Sequence, residues 1–371
     1  MILELHIIQN FAPSNLNRSD TGSPKDCIFG GVRRARISSQ CFKRAMRTYF
    51  REKFERPENL AERSTRLIEN IAQRLVAKGR DEEQSRKVAL EALTSIGLKT
   101  SKKDAAKTEY LLFMGRDELN RIAETCSAHF DELAKDKPSE ETKKAVEKAL
   151  LDLMNEGKAA DLGLFGRMLA DLPKRNRDAA SQVAHAISTH KVGLEFDFFT
   201  AVDDLRPEDT VESGHLGTVE FNSACFYRYA NVNIDKLREN LQNDEELTKA
   251  TVAAYIRAAV EALPTGKQNT FATHERPSLV YAVVRDSGMM SLANAFEKPV
   301  YSPEGGLVDR SIEALAEHYG KVTGVYGDNA ASRVFVTTGI ADNAAKLGDN
   351  VETFDALLDR TMSAIFDRKE G

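Results

Sequence analysis

Residues 2–9, ILELHIIQ, are apolar at most positions, the pattern of a buried strand. The polar stretch NFAPSNLNRSDTGSPKD (10–26) follows, and its Asn, Ser, Pro and Gly predict a long irregular loop. From Ser38 the period changes. Phe42, Ala45, Met46, Tyr49 and Phe50 recur at helical spacing, while Lys43, Arg44, Arg47 and Arg51 fall on the other side. Ser38 or Ser39 can serve as N-cap, and Lys53 breaks the partition and marks the end. Between 57 and 160, four amphipathic and highly charged segments predict helices: ENLAERSTRLIENIAQRLVAKG, EEQSRKVALEALTSIG, DELNRIAETCSAHFDELA and SEETKKAVEKALLDLMNEG. Pro57 and Gly79 punctuate this part, and YLLF (110–113) reads as a short strand. Further on, DLGLFGRML (161–169) reads as extended, DAASQVAHAIST (178–189) as helical, and VGLEFDFFTAV (192–202) alternates as a strand does. A long hairpin-like excursion through 203–221 returns in the strand SACFYRYANVNI (223–234). Helices near 234–242, 244–262, 308–322 and 350–367 alternate with strands at 278–286 and 333–338. The class is α+β, with a helical insertion in its first half.

Composition sharpens this in one respect. The 371 residues carry a net charge of −5, yet residues 25–56 hold ten basic side chains against three acidic ones. A dense local excess on an acidic chain is a positioned patch rather than a general affinity for polyanions. No apolar run reaches the length of a membrane span, and the first fifteen residues lack the basic start of a signal peptide. Cys27, Cys41, Cys126 and Cys225 include no CxxC pair, so neither a zinc site nor a disulfide scaffold is indicated. A reduced, cytoplasmic protein is expected.

The usual catalytic signatures fail. LPTGKQ (263–268) has Glu261 five positions before Gly266 and Gln268 where a phosphate loop needs Ser or Thr. FGGVRR (29–34) is no dinucleotide fingerprint. His185 and His190 lack the intervening Glu of a zinc helix, and locally bonded helix-end histidines are the simpler expectation. Asp203 and Asp204 form an acidic pair with no second cluster to complete a two-metal site. No cofactor and no metal is expected. The basic stretch fares better. Gly30 and Gly31 before it would permit close backbone approach to a ligand. Ser38, Ser39 and Gln40 sit at a helix N-terminus, where free N–H groups favour phosphate. Together these features predict a site that tracks a nucleic-acid backbone with little base readout.

The segment LNRSDTGSPKDCIFGGVRRARISSQCFKRAMR (16–47) closely resembles the signature of the CasC family, the backbone subunit of the type I-E CRISPR Cascade complex. LFGRM (164–168), AHAISTHKV (184–192), FTAVDDL (199–205), HLGTVEFNSACFYRYANVNI (215–234), GKQNTFA (266–272) and LANAFEKPV (292–300) follow in the family's order. The resemblance implies an RRM-like, that is ferredoxin-like, palm (1–57 and 184–371), a helical finger (58–183) and a β-hairpin thumb (about 197–222). It implies phosphate contacts from Arg18, Lys25, Lys43 and Arg47, with polar help from Ser38 and Gln40. Arg33, Arg34 and Arg167 join the same RNA-binding set. Met168, Phe199, Thr200, Val202, His215 and Leu216 become the residues that displace a base. The acidic charges of the thumb (Asp203, Asp204, Glu208, Asp209, Glu212) suit no phosphate. The partners implied are CRISPR RNA, target DNA through guide pairing, further copies of the chain head to tail, and other Cascade subunits. The subunit would be a non-catalytic scaffold, because pairing supplies the specificity. Two alternatives remain at this point: a metal-dependent ribonuclease of a related CRISPR effector, using Asp203 or His190, and a protein-only interaction module on the helical region.

Overall fold

The computed structural model describes residues 1–201, 215–304 and 306–367. Val202, with the five acidic thumb residues, lies outside them. Two compact units emerge: Met1–Tyr49, Gln182–Val232 and Val252–Gly371 form one, and Phe50–Ser181 with Asn233–Thr251 the other. No helix among the described residues is long and apolar enough to cross a membrane.

The first unit opens with β1 (Ile2–Ser14), buried at its first eight positions as its apolar run requires. The strand runs on through Asn10–Ser14, the first part of the polar stretch expected to be loop. It gives way to a hairpin of β2 (Asp26–Phe29) and β3 (Val32–Ile37), joined at Gly30 and Gly31 with φ +59° and +75°. Positive φ at both central residues is the two-residue turn that suits the twist of paired strands, and glycine adopts it without steric cost. A side chain at Gly30 would also strike the Glu297 carbonyl. The glycines therefore shape a turn, and at Gly31 no neighbour lies within 4 Å of where a side chain would stand. Helix α1 (Ser39–Lys53) follows at once. The Ser38 hydroxyl accepts from the Cys41 N–H at 3.3 Å and so caps it.

The second unit is built on β4 (Ala61–Ser64), α2 (Leu67–Val76), α3 (Glu82–Ser95), β5 (Thr100–Ser101), β6 (Asp104–Thr108), β7 (Leu112–Gly115), α4 (Arg116–Ala128), α5 (Phe130–Leu133), α6 (Glu140–Glu156) and α7 (Ala160–Phe165). Each amphipathic helix turns its apolar stripe inward. Leu67, Ile71 and Leu75 meet Val88 and Ala92, Leu119 and Ile122, and Val146, Leu150 and Met154 in one core. Asp81 and Ser139 cap α3 and α6 through the Gln84 and Thr142 N–H groups. The segment DLGLF is helical, not extended. With Ala160 before it, the chain is buried at five consecutive positions, 160–164, so no polar face betrays its period.

The chain then returns to the first unit through β8 (Ser181–Val183) and β9 (Ala186–Ser188), two three-residue strands where a helix was expected. They are held by pairing: β9 lies antiparallel between β11 and β3. Pairing at long range overrides local helix preference in such short pieces. Next come β10 (Glu195–Ala201) and the long β11 (His215–Asn233). After α8 (Ile234–Asn240) and α9 (Glu245–Glu261) come α10 (Gln268–Phe271), β12 (Leu279–Arg285), α11 (Leu307–Tyr326), β13 (Ala330–Thr337), β14 (Asp349–Asn350) and α12 (Phe354–Phe366). The described strands of this unit form a mixed sheet in the order β14-β13-β12-β1-β11-β9-β3-β2, with β10 and β8 also pairing β11. Alternation along β11 gives the sheet two apolar faces. Cys225, Tyr227 and Tyr229 join Ile312, Leu315 and Tyr319 of α11, whereas Ala224 and Phe226 join Phe42 of α1. His6 is sealed among Tyr227, Tyr229 and Tyr281, with Nδ1 2.9 Å from the Tyr227 hydroxyl. Burial first, and then the Arg285 charge, push its pKa down to about 3.

Candidate nucleic-acid interface

Asn17 organises the basic region. Its carbonyl accepts from the Lys25 N–H at 2.9 Å, and its side-chain Oδ1 accepts from the Ser38 N–H at 2.8 Å. The Lys25 carbonyl in turn accepts from the Arg36 N–H. These bonds tie the turn carrying Arg18 to β3 and to the start of α1. Four cations thereby share one region of the first unit: Arg18, Lys25, Arg36 and, one turn into the helix, Lys43.

Helix α1 divides cleanly. Phe42 and Met46 are buried, and Phe42 lies under the Arg228 guanidinium at 4.1 Å. Burying two such side chains stabilises the helix's seat by roughly 1.5–3 kcal/mol each. Gln40, Lys43, Arg44 and Arg47, at spacings of three and four, hold the opposite stripe. Gln40 and Arg44 are exposed, Lys43 and Arg47 half-buried. Burial lowers the pKa of Lys43, and no carboxylate among the described residues pairs with it to offset that cost. Arg18, Lys25 and Arg44 likewise have no ion-pair partner among the described residues. Desolvated or clustered cations without neighbouring anions raise the local positive potential, which an external anion would lower.

Other members of the expected set stand elsewhere. Arg33 is exposed but pairs with the Asp26 carboxylate. Arg34 is fully buried: Nε donates to the Phe29 carbonyl, Nη1 to Ser188, and Nη2 to Phe296 and Glu297. With those donors spent on backbone oxygens inside the unit, Arg34 anchors the hairpin and cannot reach a phosphate. Arg167 is also removed from the set. In the second unit it is buried against Glu118, with Nη1 2.8 Å and 3.1 Å from the two carboxylate oxygens, and Nη2 donates to the Met154 carbonyl. Burial raises the Glu118 pKa in spite of that guanidinium. Its neighbour Met168, by contrast, is 84% exposed.

The β10–β11 hairpin extends from the sheet with Glu195 opposite Phe221 and Ala201 opposite His215. Two of its aromatic side chains are largely exposed, Phe196 at 59% and Phe198 at 70%, and Phe199 is 44% exposed. Alternation puts Phe196, Phe198 and Thr200 on one face and Phe199 on the other, where its ring covers Gly217. His215 and Leu216 continue the strand opposite Ala201 and Thr200, their side chains lying outside the described set. The sequence reading missed Phe196 and Phe198 as surface groups, although the alternation that defined the strand already assigned them a common face. It also missed His185, which it placed on a helix. His185 precedes β9 and lies 2.9 Å from Arg36.

The alternative chemistry finds little here. His190 donates from Nδ1 to the Lys191 carbonyl, and its Nε2 accepts from the Cys225 N–H at 3.2 Å. Both nitrogens are engaged, and burial lowers its pKa. Among the described residues no three His, Cys, Asp or Glu side chains converge as metal ligands.

The profile of the CT1975-like protein family matches residues 3–360. The chain belongs to this family. It is the CasC family that the motifs of the sequence resemble. Two solved structures are similar across nearly the full length. One, a chain of a "CRISPR RNA-guided surveillance complex, pre-nicking", is 34% identical with a TM-score of 0.87, covering 99% of this chain and 100% of that one. Another, from a "CRISPR RNA-guided surveillance complex", is 29% identical with a TM-score of 0.77, covering 98% and 100%. No curated protein matches this CasC-family chain.

Proposed function

We propose that this CasC-family chain is a CRISPR RNA-binding backbone subunit of a Cascade-type surveillance complex. It grips the guide's phosphates, repeats head to tail along the strand beside other subunits, and leaves the bases free to pair with target DNA. In this reading residues 1–57 and 184–371 are an RRM-like palm, the helices of 58–183 are the finger, and the β10–β11 hairpin is the thumb. Its exposed phenylalanines suit the displacement of a base, as apolar side chains do when they wedge between base steps, and exposed Met168 of the other unit is proposed for the same kind of role. The scaffold works in the cytoplasm and has no catalytic step of its own. The observation that carries the reading is the group Arg18, Lys25, Lys43 and Arg44, cations held by Asn17 and α1 and left without carboxylate partners among the described residues. Phosphate contacts of this kind position a strand without reading it. No observation favours the ribonuclease: His190 has no free nitrogen, and Asp203 lies outside the described residues.

Expression and purification of the full chain with its CRISPR RNA test the proposal. RNA of a uniform, guide-like length should co-purify, and ribonuclease should dissolve the assembly into smaller species. An assembly that forms without nucleic acid and is indifferent to ribonuclease would refute it.

A further inference from the structure

The cluster beside Arg36 carries more than a static charge. The Arg36 guanidinium can only donate, so the His185 Nδ1 facing its Nη1 at 2.9 Å is an acceptor. The imidazole is therefore neutral with its proton on Nε2. Arg36 is steadied by a second bond, from Nε to the Asp26 carbonyl at 3.2 Å. Lys25 stands close enough to act on the same ring, and the charges of Arg36 and Lys25 add to burial in lowering the His185 pKa. The other groups around it give no relief. The Asp26 carboxylate is committed to Arg33, the Cys27 thiol has its pKa raised by burial, and Arg228 of β11 is buried on Gln9 and the Ala259 carbonyl. Lys25 and Arg36 also line one small cleft with Asn17, Pro24 and Asn222.

We propose that Lys25, Arg36 and His185 form a subsite for one phosphodiester of the bound strand, and that His185 takes up a proton when the phosphate enters. This rests on the RNA-binding reading above and adds to it a residue and a linkage. A phosphate oxygen placed between the two side chains accepts from Arg36 Nη1 and from a newly protonated Nδ1, replacing the bond between them. The added negative charge offsets the burial and the cationic repulsion that favour the neutral imidazole in the free protein. Affinity must then fall as pH rises through the window between the free and the bound pKa of His185. One linked proton changes affinity by at most about tenfold per pH unit.

The test is the dissociation constant of the full chain for a short single-stranded RNA, measured from about pH 5.5 to about pH 8 at constant ionic strength, a span bracketing the histidine value. The wild type should bind more weakly with rising pH. His185→Gln, which can still accept from Arg36 but cannot titrate, should bind with little pH dependence. Arg36→Gln should weaken binding and move the pH-dependent window upward, because the imidazole then loses a neighbouring cation in both the free and the bound state. DNA of the same sequence should show the same slope, since it offers the same phosphodiester. A flat wild-type profile, or an unchanged slope in His185→Gln, overturns the subsite while leaving the RNA grip standing. A slope with RNA and none with DNA overturns the phosphate assignment. Absence of RNA binding at every pH removes the underlying reading as well.

Discussion

Replacing Arg18, Lys25 and Lys43 together by Gln removes three charges while keeping polar stems of similar reach. None of the three pairs with a carboxylate among the described residues, so the fold should lose little and the melting temperature should move by no more than about 2 °C. Binding should change far more. Each phosphate contact on a single strand contributes about 0.7 to the slope of log K against log salt, so the triple variant should flatten that slope by about 2. Between about 1 M and about 0.15 M salt one contact amounts to roughly fourfold, and three to roughly fiftyfold in affinity. Fluorescence anisotropy with a labelled RNA across a salt series reads both quantities. The loss should be nearly equal for RNAs of different sequence. A variant whose slope matches the wild type, or one that loses affinity for a single sequence only, would refute the argument that these cations grip the backbone.

Breaking the buried pair by Glu118→Gln or Arg167→Met should cost about 3–5 kcal/mol in urea unfolding, while the double replacement Glu118→Leu with Arg167→Met should recover much of that. Gly31→Ala should cost about 1–2 kcal/mol for its left-handed backbone alone; Gly30→Ala should cost clearly more, because its methyl would sit 1.7 Å from the Glu297 oxygen. His6 gives a pH test. Unfolded chains protonate it below about pH 6.5, the folded chain only near 3, so its share of stability is complete above 6.5 and falls by up to about 1.4 kcal/mol per pH unit between those values as acid is added. His6→Gln should show a correspondingly flatter decline in equilibrium unfolding.

Periodic signals were legible and solitary ones were not. The stripe of Phe42, Met46 and Phe50 defined α1, and the alternation of Leu194, Phe196 and Phe198 defined β10. The β2–β3 hairpin escaped because Gly30-Gly31 fits both a turn and a ligand-facing loop, and only the pairing partners decide. The strands β8 and β9 have three residues each, too few for any period. At the site, Lys43 and Gln40 could be placed from helical spacing. Arg34 could not be told from Arg33, because the carbonyls that capture it come from residues 188, 296 and 297. His185 was hidden for the same reason: its partner Arg36 lies 149 positions away.

The hairpin arm bears on how the cell must handle this protein. Among the described residues strand β10 pairs with β11 alone, and the rings of Phe196 and Phe198 are largely exposed to water. An open strand edge beside bare aromatic rings is an invitation to indiscriminate self-association. Copies with the arm uncovered should self-associate more readily as their concentration rises, so one ribbon of the fold sets a ceiling on dosage.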